Sequence, residues 1–190
     1  DPANETPFNG TKYFGMNSGW ARCNYAVNGA QVTMDPAGTG FKSKTFRGMM
    51  GVGTGVSADM VSDGLSNTIM VCEIRVGLEE IDPRGTWAMG DSASSIWAAG
   101  SYHWNEGGPW PGADCNGPNP ANAFRMDQDN IVSCRDIFNS PMQSTYFTTE
   151  LMGCWPDMSG NYNSQSAVRS RHRSGVFVCM ADGSVQWISD

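Results

Sequence analysis

The residues with the clearest capacity for chemistry are His172, Asp182 and Glu73. A histidine and carboxylates are the side chains used most often for acid–base catalysis and for metal binding. A strand-like run at 175–181 separates His172 from Asp182, and a strand rises about 3.3 Å per residue, so we expect these two roughly 20 Å apart. This separation disfavours a joint site, and it favours a turn-forming role for Asp182.

Glu73 and Asp63 flank a second strand-like run, at 68–74. Asp63 belongs to a turn cluster and is interpreted as a turn or capping residue. Glu73 lies within the apolar run, where a carboxylate needs a partner. The basic cluster at 169–173 could supply it, so we expect one of its arginines to pair with Glu73 or Asp63 as a structural clamp. Metal ligation or acid–base work by Glu73 remains open, as does an anion site or assembly contact at the basic cluster.

Acidic residues at Asp127, Asp129 and Asp136 offer a candidate calcium site. Calcium prefers oxygen ligands, and closely spaced carboxylates can supply them. The glycine of an EF-type loop is absent, so a solvated loop face is the alternative.

A second candidate ligand site is an aromatic stretch formed by Trp97, Tyr102, Trp104 and Trp110. Aromatic rings can stack on sugars, although most tryptophans in a domain of this size belong to the core or cover a loop. Exposed rings would favour glycan or solute binding, whereas buried rings would favour a structural role.

Known catalytic motifs are missing from the sequence. It contains no GxSxG, HExxH or Walker pattern, and the glycine-rich stretch at 51–55 lacks the Lys-Ser/Thr of a phosphate loop. We therefore expect a binding or structural protein, and we keep a hydrolytic enzyme that uses Glu73 or the acidic loop as a third hypothesis.

Composition limits the partners and the compartment. The 190 residues carry a net charge of −7, which argues against nucleic acid, and no apolar run approaches the ~18 residues of a membrane span. Six cysteines without a CxxC pattern favour disulfides formed in an oxidising compartment. We expect at least one bridge among Cys115, Cys134 and Cys154, whereas Cys72 and Cys179 either pair across strands or remain free thiols.

These residues are expected to lie on a β-rich α+β fold. It comprises one domain, 1–190, with an antiparallel sheet, a C-terminal β-hairpin, long loops and a loop-rich insertion at about 90–165. The 68–74 strand should be central, because it is apolar on both faces. Asp182-Gly183 predicts a two-residue type I′ turn that places Val178 opposite Trp187, and both faces of the hairpin should be covered. A short helix is predicted near 133–139.

Three sequence blocks together resemble a known family. They are the block from Asn24 to Gly29, the run from Asp63-Gly64 through Asn67 to Glu73, and His172 followed after nine residues by Asp182-Gly183-Ser184-Val185. They are similar to motifs of a bacterial family of prepilin-type proteins of unknown function, also labelled extracellular solute-binding protein family 10. Leu65 and Cys72 depart from its usual Thr and Gly.

The resemblance implies a pilin-like or pseudopilin-like head that lacks the N-terminal helix and derives from a longer precursor. It further implies an extracellular or cell-envelope structural or interaction protein, with Asp63, Gly64, Asn67, Glu73, His172, Asp182 and Gly183 as structural motif residues. The expected partners are protein subunits of an assembly or, alternatively, a glycan or other solute. No cofactor is required, although calcium is a candidate.

Overall fold

The computed structural model describes residues 7–9, 18–30, 47–51, 54–90, 94–98, 130–131, 133–150, 152–156, 168–172 and 174–189. The strands in these ranges are β1 (Phe8–Asn9), β2 (Ser18–Trp20), β3 (Tyr25–Ala30), β4 (Met50–Gly51), β5 (Thr54–Gly55), β6 (Ile69–Glu73), β7 (Ile96–Ala98), β8 (Asn130–Ile131), β9 (Trp155–Pro156), β10 (Gly175–Met180) and β11 (Val185–Ser189). The helical segments are α1 (Cys134–Phe138), three 3₁₀ turns (Ala58–Met60, Leu65–Asn67, Trp87–Met89) and a π-helical turn (Thr145–Thr149).

A five-stranded sheet with the order β11-β10-β6-β3-β7 organises the described part of the chain. The strands predicted at 68–74, 175–181 and 184–189 are confirmed, and β6 is central, between β10 and β3. The short helix predicted near 133–139 is α1.

The sheet is mixed, so the prediction of an antiparallel sheet was wrong in this respect. β7 runs parallel to β3, with Val27 opposite Ile96. A parallel neighbour is reached by a crossover, which leaves no turn signal in the sequence. β7 also lies within the stretch predicted as a loop-rich insertion.

The C-terminal hairpin closes through a three-residue loop, so the predicted type I′ turn was wrong. The Gly183 N–H donates to the Met180 carbonyl at 3.0 Å, and the Met180 N–H donates to the Ser184 carbonyl at 2.8 Å. Gly183 has φ +87°, and Asp182 Oδ1 accepts bonds from the Ser184 N–H and hydroxyl at 2.9 and 2.7 Å. A type I turn followed by a left-handed glycine has this pattern.

The extra loop residue shifts the hairpin register by one position. Phe177, and not Val178, pairs with Trp187. Val178 is buried in the core, whereas Phe177 and Trp187 are 41% and 43% exposed. The expectation that both faces of the hairpin are covered was therefore wrong.

Two hydrophobic cores lie in the described ranges. The sheet core consists of Ala26, Cys72, Ile74, Trp97, Val176, Val178 and Met180. The second core consists of Ile131, Cys134, Ile137, Tyr146, Met152 and Cys154.

A disulfide joins Cys134 to Cys154, which confirms the bridge predicted in this region. Cys72 and Cys179 are free thiols. Cys72 pairs with Val178 and Cys179 with Val71, so the two side chains point to opposite faces of the sheet. Burial, together with the charge of neighbouring Glu73, raises the pKa of the Cys72 thiol. Within the described ranges, no helix has the length and apolar character needed to span a membrane.

Candidate functional site

Glu73 ends β6 with its carboxylate buried, and both of its oxygens have partners. Oε2 accepts the Phe177 N–H at 2.9 Å, and Oε1 lies 3.3 Å from His172 Nε2. The His172 side chain is 51% exposed, whereas that of Glu73 is 6% exposed. The pair therefore joins a buried acceptor to a ring that solvent can reach.

The loop before β10 positions His172. The Arg169 N–H donates to the Glu73 carbonyl at 3.0 Å, which extends the pairing of β6. The Ser170 hydroxyl accepts the His172 N–H at 3.0 Å and donates to the Gly175 carbonyl at 2.7 Å. Ser174 adopts φ +63°, and it is the one non-glycine residue with positive φ among those described. This short loop folds back and lays the imidazole over the sheet.

Four half-exposed rings surround Glu73, and we name Tyr25, His172, Phe177 and Trp187 the aromatic face. Tyr25 pairs with Glu73, and Phe177 with Trp187. The His172 ring centroid lies 5.4 Å from that of Phe177 and 5.8 Å from that of Trp187, both edge-to-face. The Phe177 and Trp187 centroids are 4.8 Å apart. The aromatic face therefore crosses β3, β6, β10 and β11 on the side of the sheet opposite its core.

The ion-pair partner of Glu73 in the described contacts is His172, and Arg171 has a different partner. Arg171 pairs with Glu150 at 3.1 Å, and Glu150 also accepts from Arg75. Alternating residues of the basic cluster point in different directions, so His172 reaches Glu73 while Arg171 turns away from it. Arg173 lies outside the described residues.

The motif residues Asp63, Gly64 and Asn67 form a compact loop at the other end of β6. Asn67 Nδ2 donates to the Asp63 carbonyl at 3.0 Å, and the Thr68 hydroxyl donates to the Gly64 carbonyl at 3.1 Å. Gly64 has φ +88°, a conformation that favours glycine. Asp63 is exposed and accepts only the Ser62 hydroxyl among its described side-chain contacts. These contacts fit the turn role predicted for Asp63.

Backbone hydrogen bonds join this loop to the hairpin turn. The Asp182 N–H donates to the Leu65 carbonyl at 3.2 Å, and the Ala181 N–H donates to the Thr68 carbonyl at 2.8 Å. Asp182 and His172 thus lie beyond opposite ends of β10, as the strand length predicts. The motif residues form two clusters, one around Glu73 and His172 and the other around Asp63 and Asp182.

An open groove of about 710 Å³ lies beside the second cluster. Leu65 and Ala181, from the two joined loops, line part of it. Four methionines from three segments line it too: Met49, Met50, Met70 and Met89. Trp87 lies at the groove with 62% of its surface exposed. No periodic pattern in the sequence indicates this groove, because its residues are spread over five segments.

The other predicted ligand residues are not brought to one site within the described ranges. Trp97 is 7% exposed and packs in the sheet core, so it cannot serve as a stacking surface. Tyr102, Trp104 and Trp110 lie outside the described residues, as do Asp127 and Asp129. Asp136 lies in the first turn of α1. Among described residues, no three His, Cys, Asp or Glu side chains are grouped so as to hold a metal ion.

A buried ion pair between Asp82 and Arg84 is the main feature that sequence reasoning missed. Asp82 is 0% and Arg84 1% exposed. Arg84 Nη2 lies 2.7 Å from Asp82 Oδ2, and Arg84 Nε lies 3.0 Å from both carboxylate oxygens. Burial alone would raise the pKa of Asp82, but the Arg84 charge and hydrogen bonds outweigh it, so this pKa lies below its ordinary value.

Arg84 also ties the ion pair to the second core. Its Nη1 donates to the Met152 carbonyl at 2.9 Å, and its guanidinium lies 5.4 Å from the Tyr146 ring centroid. The Tyr146 hydroxyl accepts the backbone N–H groups of Leu78 and Glu79 at 2.9 and 3.0 Å. Burial, reinforced by the Asp82 charge, raises the pKa of Tyr146. The available sequence signal was an acidic and a basic residue two positions apart, in a segment that also carries Glu79 and Glu80.

Comparison with known proteins gives one result. The family model SBP_bac_10, described as "Protein of unknown function (DUF1559)", matches residues 1–190, which confirms the predicted label of solute-binding protein family 10. No curated protein and no solved structure matches the chain. The family name is consistent with an extracellular or solute-binding role.

Proposed function

The chain belongs to the SBP_bac_10 family, and we propose that it is an extracellular or cell-envelope protein that acts by binding, as the head of a pilin-like or pseudopilin-like subunit. The aromatic face is the contact surface in this proposal, and neighbouring copies of the same subunit are its partner. The observation that carries the proposal is the exposure of Tyr25, Phe177 and Trp187, each between 41% and 43%, in adjoining positions of one sheet.

The composition of the aromatic face supports a protein partner. Tyrosine, tryptophan and phenylalanine are enriched at interfaces, where charged residues are depleted. The carboxylate within this face, Glu73, is already satisfied by His172 and the Phe177 N–H. A partner can therefore cover these rings while each oxygen of this carboxylate keeps a polar neighbour.

The charge of the chain supports contact at this face. Two copies that each carry −7 repel one another over most of their surface. Strand β11 contributes Trp187 and has no charged residue from Val185 to Ser189. Two copies can approach there with little like-charge repulsion.

The disulfide supports the extracellular or envelope location. Bridges such as Cys134–Cys154 persist in oxidising compartments and are rare in the cytosol.

The contacts around His172 favour binding over hydrolysis. A hydrolytic dyad needs a nucleophile within hydrogen-bond reach of the imidazole. Among the described residues, Nε2 faces Glu73, and the nearby Ser170 hydroxyl donates to the Gly175 carbonyl. These contacts orient the ring, and they give no support to the hydrolase hypothesis.

Sedimentation equilibrium tests the proposal with Trp187→Ser. We expect concentration-dependent self-association of the unchanged chain, weakened about tenfold or more by the substitution, as is typical of a central aromatic contact. Met60→Ala is the matched control, because Met60 is exposed but lies outside the aromatic face. A chain that is monomeric at all concentrations, or equal association of both variants, would contradict the proposal.

A second candidate function is solute binding, and the groove is the observation that favours it. Its volume of about 710 Å³ falls within the range of small-molecule sites, roughly 300–1,000 Å³. Calorimetric titration of the chain with neutral sugars and with apolar compounds tests this candidate. Heat that disappears in the Trp87→Ala variant would support it, and no binding by either class would contradict it.

A further inference from the structure

We infer that the groove binds an uncharged, flat aromatic molecule. This inference rests on the second candidate function, solute binding, and adds to it the chemical class of the ligand. It concerns a site separate from the aromatic face, so it does not depend on assembly.

The described lining of the groove disfavours an ionic ligand. Among its described lining residues, none carries a charged side chain. A ligand charge placed there would lose its hydration without gaining a partner, which is strongly unfavourable. The described polar lining includes Ser95, which is itself buried.

The methionines indicate a ring-shaped ligand. Met49 and Met50 come from the segment at β4, Met70 from β6 and Met89 from the Trp87–Met89 turn. Thioether sulfur makes favourable contacts with the edges of aromatic rings, and unbranched methionine side chains adapt to ligand shape.

Trp87 supplies a flat surface at the same groove. Its indole is 62% exposed, an unusual degree for the largest apolar side chain. Offset or edge-to-face stacking on an aromatic ligand would bury this surface. Glycines at 51, 55 and 90 also line the groove, and they leave space for a ligand beside the indole.

The wall formed by the motif loops is held in place before a ligand arrives. Leu65 and Ala181 line the groove, and the hydrogen bonds from Asp182 to Leu65 and from Ala181 to Thr68 join their loops. A preformed wall lowers the ordering cost of binding. The cluster around Asp63 and Asp182 thus has a positioning role for the groove.

Fluorescence titration with N-phenyl-1-naphthylamine, an uncharged aromatic probe, tests the inference. We expect saturable binding that Trp87→Ala weakens about fivefold or more, in line with the strength of aromatic pairs. Met89→Ala should weaken binding as well. Met60→Ala is the matched methionine control outside the groove lining and should leave probe affinity unchanged, and circular dichroism checks that each variant folds.

Competition experiments define the ligand class. We expect naphthalene to displace the probe, and naphthalene sulfonate and dodecanol to displace it at least tenfold less well. Equal displacement by the sulfonate would overturn the uncharged class, and stronger displacement by dodecanol would overturn the aromatic class. A probe affinity that is unchanged in both Trp87→Ala and Met89→Ala would show that the probe does not bind in the groove.

Calorimetry with neutral sugars distinguishes a wrong ligand class from a complete absence of solute binding. A sugar that binds in calorimetry and loses affinity in Trp87→Ala, with no probe binding, would overturn the aromatic class and leave solute binding intact. No binding by any of these compounds would overturn both.

Discussion

The two hydrophobic cores of the described part differ in how their surroundings shield them from solvent. The sheet core is built on long-range strand pairing, and the sheet leaves its other face partly open, with Phe177 and Trp187 more than 40% exposed. All six residues of the second core are 0% exposed. Its described elements are short, since α1 and the π-helical turn have five residues each and β8 and β9 have two each.

This difference indicates how each region keeps its order. Backbone hydrogen bonds between neighbouring strands stabilise the sheet. The side chains on its open face are therefore available for the binding proposed above. Between residues 133 and 152, the described backbone hydrogen bonds of the second core are local, and cross-links join its distant parts: the Cys134–Cys154 bridge, and Arg84, which pairs with Asp82 and donates to the Met152 carbonyl. Substitutions in the second core should therefore lower the free energy of unfolding, whereas substitutions on the open face of the sheet should weaken binding.

The largest effect is expected for Arg84→Ala. Removing one partner of a buried pair leaves the other charge uncompensated, which typically costs about 3–5 kcal/mol. Urea unfolding measures this loss of unfolding free energy. The control is Arg171→Ala, whose side chain is 71% exposed in its pair with Glu150 and should cost about 1 kcal/mol or less. Similar costs for the two variants would remove the contrast between a buried and an exposed pair.

Lowering the pH should destabilise the protein by protonating Asp82 of the same buried pair. The pKa of Asp82 is lower in the folded chain than in the unfolded chain, because the Arg84 charge outweighs burial. The resulting stability is complete above the unfolded pKa and is lost as pH falls through the folded pKa. Unfolding curves from pH 6 downward should show this loss below about pH 4, the ordinary range of an aspartate. Asp82→Asn should flatten the dependence, and an unchanged slope would argue against the pair.

Loss of the disulfide should rank next. Cys134 and Cys154 are 20 residues apart, and a loop of that size corresponds to about 3 kcal/mol of stabilisation. Cys154→Ala should lower the free energy of unfolding, measured in urea, by about this amount. Cys179→Ala, at a free thiol, serves as the control. An intact mass equal to that of the all-thiol chain would rule out the bridge.

The sequence allowed prediction of features that depend on local patterns. The apolar runs located β6, β10 and β11, and the cysteine spacing indicated the bridge near α1. The hairpin register was missed because a single residue in the loop, Ala181, decides which strand positions face each other.

Long-range partners could not be derived in the same way. The burial of Glu73 was foreseen, but alternation within the basic cluster gave no way to choose His172 over its arginine neighbours. Asp82 and Arg84 become buried only when a segment 68 residues further on, at Met152, covers them. The groove was missed for the same reason, since no single segment carries its pattern.

A smaller effect is expected at the hairpin loop. Gly183→Val forces a β-branched residue to φ +87°, which should cost about 1–2 kcal/mol. A Cβ at this position meets nothing within 4 Å, so backbone strain alone sets the cost. Gly183→Asn should be milder, because asparagine tolerates this conformation. Equal losses for valine and asparagine in thermal unfolding would show that backbone strain does not decide the outcome.

The smallest effect on stability is expected for His172→Ala. The ring is half-exposed, and exposed pairs contribute about 0.2–1 kcal/mol, so unfolding by urea should change little. The Glu73 carboxylate keeps the Phe177 N–H as a partner, which limits the cost of losing the imidazole. Self-association should nevertheless weaken, because His172 packs edge-to-face on Phe177 and Trp187 and fixes their positions. A loss of stability as large as that of Arg84→Ala would instead make His172 a structural clamp, and the open face of the sheet would then depend on cross-links as the second core does.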